Sequence, residues 1–323
     1  MATYLHADPR RRTNVRFPGP EGELSGHLYR PPSLAADQRT PGVAMCGPIS
    51  SVKEQTLPHY AERFADAGYT ALTFDPTSFG ESTGEPRARY RPARVIDDFA
   101  YAVDHLMSRS DIDPQRVAVV GVCMGGGYAV SLAAQEKRIR AVVSIAGGYD
   151  IGGTFQANLG VEGFADYLRS VNQLVHDGAM AGTISYVPTA TPGPMPDHPI
   201  AAMPNQEAFD YYERTSHEDA PAWSRELTAD SLPAYLTYNA VAAAPLVAPI
   251  PLLVIHGTRD DALLPEYAQA VHDAAHGEDL GGTKHIEWVE TDNHVQLYDQ
   301  EPYVDHAVEL TLDWLDTHVK ARP

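Results

Sequence analysis

A mixed α/β fold, with a mostly parallel central sheet and helices on both its faces, is predicted by three features of the 323-residue sequence. Short runs of aliphatic and β-branched residues, apolar on both faces, recur along the chain. Three of them, residues 42–47, 70–76 and 116–123, each end in Gly, Cys or Asp-Pro, and a segment with helical spacing follows. The length suits one catalytic core carrying an insertion, since single cores stop growing at about 250–300 residues.

The opening segment, residues 13–29, has Pro18, Gly19, Pro20 and Gly22 at its middle and reads as an antiparallel hairpin at a sheet edge. Residues 42–47, 70–76 and 116–123 are the first buried strands. Residues 141–145, 251–257 and 285–290 are the later ones. Between them Tyr60, Phe64 and Ala67 share one helical face, and Ile96, Phe99, Ala102, Val103 and Leu106 share another. Lys53, Glu54 and Gln55 read as a helix start, where they could touch substrate or serve only as caps and surface pairs.

From Gly148 to Val247 the strand-helix rhythm stops. Pro188, Pro192, Pro194, Pro196, Pro199 and Pro204 rule out helix or central strand over 187–204 and predict extended loop, flanked by helices over 164–176 and 206–215. The expected division is a core of residues 1–150 and 246–323 with a helical and loop cap of residues 151–245.

With 43 acidic residues against 24 basic, the net charge of -19 repels nucleic-acid phosphates and anionic membranes, so neither is an expected partner. Two cysteines, Cys46 and Cys123, cannot build a disulfide framework or a four-thiolate zinc site, which fits a reducing cytoplasmic setting. Arg10, Arg11 and Arg12 are not followed by an apolar stretch, as a secretory signal requires. The most apolar segment, 240–255, is broken by Pro245, Pro249 and Pro251 and is too short to span a bilayer.

The chemistry lies in three places. Gly121-Val122-Cys123-Met124-Gly125 ends an apolar strand and opens a helix through Tyr128, Leu132 and Ala134, the pattern of a nucleophile elbow with cysteine at its tip. The turn needs neighbours without bulk two residues either side, and it sets the sulfur at a helix N-terminus, where thiolate is favoured. A free thiol is only a few per cent ionised at neutral pH, so a histidine partner is expected. Asp260 stands three residues after Gly257 at a strand end and can orient an imidazole; Asp261 beside it could exchange roles. His294 follows the last strand, and the order Cys, Asp, His is the one such folds use.

Cys123, His294 and Asp260 are therefore the expected catalytic residues. The oxyanion hole is assigned to the N–H groups of Met124 and, because Pro48 has none, of Ile49, with Ser50 as fallback donor and substrate contact. Tyr211, Tyr212 and Trp223 either line a substrate pocket or glue the cap to the core. Gly125-Gly126-Gly127 fails as a nucleotide loop, because Cys123 stands where a glycine is needed and no Lys-Ser/Thr pair follows. His272 and His276, four apart, lack a third ligand, and Cys46 reads as packing, so no metal or other cofactor is expected.

These residues resemble α/β-hydrolase-fold families with cysteine nucleophiles. Among these are the dienelactone hydrolases and, more closely, bacterial hydrolases of largely unassigned substrate and fungal polyketide transferases. The segments that carry the likeness are Gly47-Pro48 with Val52-Lys53-Glu54-Gln55, Phe74-Asp75-Pro76 with Gly80-Glu81-Ser82, Gly121-Val122-Cys123, and Asn293-His294 with Leu297-Tyr298-Asp299. They span the chain from about Arg12 onward and are weakest through the proline-rich insertion. Dienelactone hydrolases hold the resting thiol with a glutamate in the oxyanion loop, whereas here that stretch has no carboxylate before Glu54.

The resemblance implies hydrolysis of an acyl ester or thioester through an acyl-cysteine, or transfer of a polyketide-type acyl chain to an alcohol or amine. A ligand-binding or lyase member of the fold is the third reading. The expected partners are a small acyl molecule, free or linked to a carrier protein or CoA, and a second copy of the chain in a homodimer.

Overall fold

A computed structural model describes residues 3–33, 38–194 and 197–320. Eight strands form the central sheet: β1 (Arg12–Gly19), β2 (Gly22–Tyr29), β3 (Thr40–Cys46), β4 (Thr70–Phe74), β5 (Ile112–Val122), β6 (Val142–Ile145), β7 (Leu252–Gly257) and β8 (Lys284–Val289). Their order is β1-β2-β4-β3-β5-β6-β7-β8. Only β2 runs antiparallel to the other seven strands, pairing with β1 on one side and β4 on the other. The middle stretches of the central strands are buried, with Val43 to Met45, Val117 to Val120 and Leu252 to Ile255 all in the core, which is why they are apolar on both faces.

The helices between strands are α1 (Leu57–Asp66), α2 (Pro92–Ser108), α3 (Met124–Gln135), α6 (Pro265–Ala274) and α7 (Tyr303–Leu315), with α4 (Ile151–Ala181) and α5 (Gln206–Glu218) in the insertion. Helix α1 begins at Leu57, so Lys53, Glu54 and Gln55 lie in the turns before it rather than at a helix start. Helix α6 ends at Ala274, which leaves His276 off the helix that carries His272. Among the described residues no helix is long and apolar enough to cross a membrane, and no three His, Cys, Asp or Glu side chains are grouped to hold a metal.

Within 151–245 the helix expected over 164–176 is far longer, running over Ile151–Ala181 with a non-helical break at Gly160 (φ 72°, ψ 165°). The proline-rich stretch is extended as expected. Ala190–Thr191 pairs with Met203–Pro204, and Tyr186–Pro188 pairs with Glu226–Thr228. Pro196 lies outside the described residues.

Strand order positions the site. From β3 the chain crosses to β4 on one side, and from β5 to β6 on the other. The loops leaving β3 and β5 therefore part at their carboxyl ends, and the crevice between them is where α/β sheets bind ligands.

Candidate active site

Cys123 sits between β5 and α3 with φ 59° and ψ −126°, a left-handed conformation costing a non-glycine residue about 1–3 kcal/mol. Hydrogen bonds hold it there. The Cys123 N–H donates to the Ile145 carbonyl at 3.0 Å, and the Gly148 N–H donates to the Cys123 carbonyl at 2.9 Å. A Cβ at position 121 would fall 1.9 Å from the Gly125 carbonyl oxygen, and one at position 125 would fall 2.0 Å from that of Cys46. Glycine at both places is thus a condition for the turn to close. As the first residue of α3, Met124 has an N–H with no acceptor inside the helix.

Asp260 follows β7 in a turn that its own side chain holds: one carboxylate oxygen accepts from the Leu263 N–H at 2.7 Å and the Ala262 N–H at 3.1 Å. The other oxygen meets Nδ1 of His294 at 2.6 Å. Burial works against the carboxylate's charge, but the facing imidazole of His294 outweighs it and holds Asp260 below the usual carboxylate range. Burial likewise opposes charge on His294. The Asp260 carboxylate and the adjacent Cys123 outweigh it and raise the imidazole well above its ordinary value. With an ionised acceptor at Nδ1, that nitrogen is assigned the proton. Nε2 points the other way, to the phenol oxygen of Tyr298 at 2.9 Å.

Cys123, His294 and Tyr298 share the wall of one cavity of about 300 Å³ with Ile49 and Met124. Its surface is mostly apolar, from side chains such as Phe155, Leu159, Met203, Tyr235 and Val295, and among the described residues no lysine or arginine lines it. Cys123 is 4% exposed, and that exposure opens onto this cavity.

One face of α5 fastens the insertion to the loops that carry Ile49 and His294. Glu207 accepts from the His294 main-chain N–H at 3.0 Å, and the Tyr211 hydroxyl lies 2.7 Å from Thr56 Oγ1. Tyr212 donates to the Ile49 carbonyl at 2.7 Å, and Gln55 donates to Thr215 Oγ1 at 2.8 Å. From below, Lys53 secures the same β3 loop. Its ammonium is fully buried, 2.9 Å from Asp75, 3.0 Å from Glu54 and 2.9 Å from Glu81. Burial disfavours that charge, yet Asp75 and Glu54 more than compensate and push the lysine up.

The residues singled out from sequence divide as follows. Cys123, His294, Met124, Ile49 and Tyr212 line the cavity, and Asp260 stands directly behind His294. Asp261 also lines the cavity, but His294 pairs with Asp260. Trp223 stacks on Tyr212 at 4.7 Å and donates to Ser50 Oγ at 3.3 Å, behind the wall, and Tyr211 packs edge-on against Tyr298 at 4.9 Å. Cys46 lies buried in β3, where desolvation pushes its thiol far up. Sequence reasoning gives Tyr298 and Glu207 no role. The traces of Tyr298 are its place four residues after His294 and within the Leu297-Tyr298-Asp299 segment of the family likeness, and nothing points to Glu207.

The family model of serine aminopeptidases, S33 (Hydrolase_4), matches residues 53–301. The uncharacterized protein YcjY of Escherichia coli (strain K12) is 28% identical, covering 90% of this chain and 92% of that one. The thiohydrolase aneE of Aspergillus aculeatus is also 28% identical, covering 84% and 82%. The polyketide transferase claH of Penicillium crustosum is 34% identical over 38% of this chain and 39% of its own. Among solved structures, that of the hypothetical protein PA2218 from Pseudomonas aeruginosa superposes with a TM-score of 0.79 at 26% identity, covering 95% of this chain and 93% of that one. The elbow here holds Cys123 although the family is named for a serine. By fold and by match the chain belongs to the S33 (Hydrolase_4) family of α/β hydrolases and is an enzyme of hydrolase or acyltransferase type.

Proposed function

We propose that the protein cleaves acyl esters or thioesters through an acyl-cysteine, with Cys123 as nucleophile, His294 as general base and acid, and Asp260 as the carboxylate that orients it. The supporting observation is the 2.6 Å contact between His294 Nδ1 and Asp260, made by an imidazole that shares a cavity wall with a sulfur at a strained elbow. The thiol proton passes to His294, the thiolate attacks the acyl carbon, and the carbonyl electron pair moves onto oxygen. N–H groups of Met124 and Ile49 receive that oxyanion, each contributing about 3 kcal/mol of transition-state stabilisation. Collapse expels the alcohol or thiol, which takes the proton from His294. Water, deprotonated by the same imidazole, then releases the acid.

The substrate is a neutral, largely apolar acyl group, since the cavity offers hydrocarbon walls with Glu207 and Asp261 and, among the described residues, no lysine or arginine to meet an anion. Residues 151–245 serve as the cap that selects it. Acyl transfer to an alcohol or amine is the second reading. It is favoured by the small exposure of Cys123 beneath the cap, which limits water, and by the likeness to a polyketide transferase.

The test is incubation with p-nitrophenyl esters and acyl-pantetheine thioesters, with and without alcohol acceptors, followed by intact-mass measurement. Hydrolysis is expected with an acyl adduct on Cys123, and Cys123→Ala should lose turnover and adduct while keeping its fold. Product formed only when an acceptor is present would select transfer. Turnover unchanged in Cys123→Ala would remove the mechanism.

A further inference from the structure

With Cys123 as the nucleophile proposed above, we propose that Tyr298 is a further catalytic residue: its phenol bridges His294 and Cys123, relays the thiol proton to the imidazole, and donates a hydrogen bond to the thiolate.

The geometry starts from donor counting. His294 has two ring nitrogens; Nδ1 is committed to Asp260 at 2.6 Å, and Nε2 meets the Tyr298 hydroxyl at 2.9 Å. A neutral imidazole with its proton on Nδ1 has one acceptor site, which the phenol O–H occupies. The phenol oxygen keeps free lone pairs, and the neighbouring donor on the shared wall is the Cys123 thiol, which interacts with both side chains. A protonated imidazole has two donors and no acceptor, so the phenol oxygen then accepts from Nε2–H and its own proton turns to sulfur. Burial, followed by the nearby Cys123, holds Tyr298 well above the usual phenol range, so it remains a donor throughout.

The step balances. The S–H bond breaks and its proton goes to the phenol oxygen. The phenol O–H bond breaks and its proton goes to Nε2. Tyr298 ends neutral, the sulfur carries one negative charge and the imidazole one positive charge. Nothing else is oxidised, reduced or consumed. Packing holds the ring where the relay needs it, since Tyr298 is 2% exposed, sits edge-on to His294 at 5.1 Å, and is braced by Tyr211.

The experiment measures the pH dependence of Cys123 alkylation by iodoacetamide, with kcat and KM on a p-nitrophenyl ester, for the unsubstituted protein and Tyr298→Phe. Titratable groups facing the sulfur are His294 with Asp260 behind it, Tyr212 from α5, Tyr235 from the insertion, and Cys46 and Tyr90 on the core side. Glu207 and Asp261 stand on the same cavity wall. All of these remain in the variant. Loss of one hydrogen bond to a charged group should move the alkylation midpoint up by about one to two pH units and lower kcat roughly ten- to hundredfold, with KM little changed. A purely structural phenol would leave the midpoint in place, and a midpoint and kcat within about twofold of the unsubstituted protein overturn the proposal.

Should Tyr298→Phe fail to fold, the acylation rate of the unsubstituted enzyme in H₂O–D₂O mixtures decides. Two protons in flight give a curved plot, and a straight line refutes the relay. Failure of Cys123 to alkylate at any pH would instead bring down the nucleophile assignment and this proposal with it.

Discussion

Asp260→Asn perturbs the site at its most constrained point. The turn after β7 dictates how the new amide must lie, because the oxygen that accepts from the Ala262 and Leu263 N–H groups has to remain an acceptor. The NH₂ group is thereby turned toward His294 Nδ1, where it meets a donor. The imidazole escapes by moving its proton to Nε2, and a nitrogen already carrying a proton cannot take one from the thiol. Where such a tautomer reversal has been produced in a protease triad, turnover falls by about 10⁴-fold. A drop of roughly 10³- to 10⁴-fold in kcat is expected here, about 4–5.5 kcal/mol of barrier.

The assay is the initial burst and steady-state release of p-nitrophenol, run beside Asp261→Asn. Asp261, which is exposed and unpaired with His294, should cost less than about threefold. A loss under tenfold in Asp260→Asn, or a larger loss in Asp261→Asn, would refute the reasoning. Stability supplies a second check. Asp260 has a depressed folded pKa, so its contribution is present above about pH 4 and is lost as pH falls through the folded value. His294 has a raised folded pKa, so its contribution is present below about pH 6.5 and is lost as pH rises through the folded value. The stability gap between the unsubstituted protein and Asp260→Asn should therefore be widest between about pH 4 and 6.5 and narrow on either side, as read from urea midpoints.

Two more perturbations separate scaffold from pocket. Lys53→Met leaves the Asp75 and Glu54 carboxylates buried without their cation, and urea unfolding should show a loss of about 3–5 kcal/mol, whereas a change under 1 kcal/mol would mean the network is dispensable. Leu159→Trp fills part of the apolar cavity, so kcat/KM for long-chain esters should fall at least tenfold relative to acetate; equal losses on both would place the acyl chain elsewhere.

Much of the core was legible because buried parallel strands and a tight elbow impose local rules. Gly121 and Gly125 are dictated by backbone contacts, and the Cys, Asp and His positions follow from which strand each one ends. The insertion was opaque for the opposite reason. Gly152, Gly153, Gly160 and Gly163 dilute the helical pattern of α4, so only its middle was expected, although the helix runs through three of them. Glu207 reaches the main chain of His294 from 87 residues away, and Tyr211 reaches Thr56 from 155, contacts that leave no local mark. Tyr298 is near His294 in sequence, but a tyrosine four residues from a histidine is more often packing than chemistry. Only the direction of Nε2 distinguishes the two.

The grip of α5 on the Ile49 and His294 loops has a consequence for substrate entry. Any swing that carries this helix outward must release the His294 backbone at Glu207 and the Ile49 carbonyl at Tyr212 together. With His294 and Ile49 in the roles proposed for them, an open molecule would be a slack one, its base and its anion cradle both unanchored, and would regain its chemistry only on shutting. Admission and activation become a single event, so a bulky guest that props the helix ajar would occupy the enzyme without being consumed.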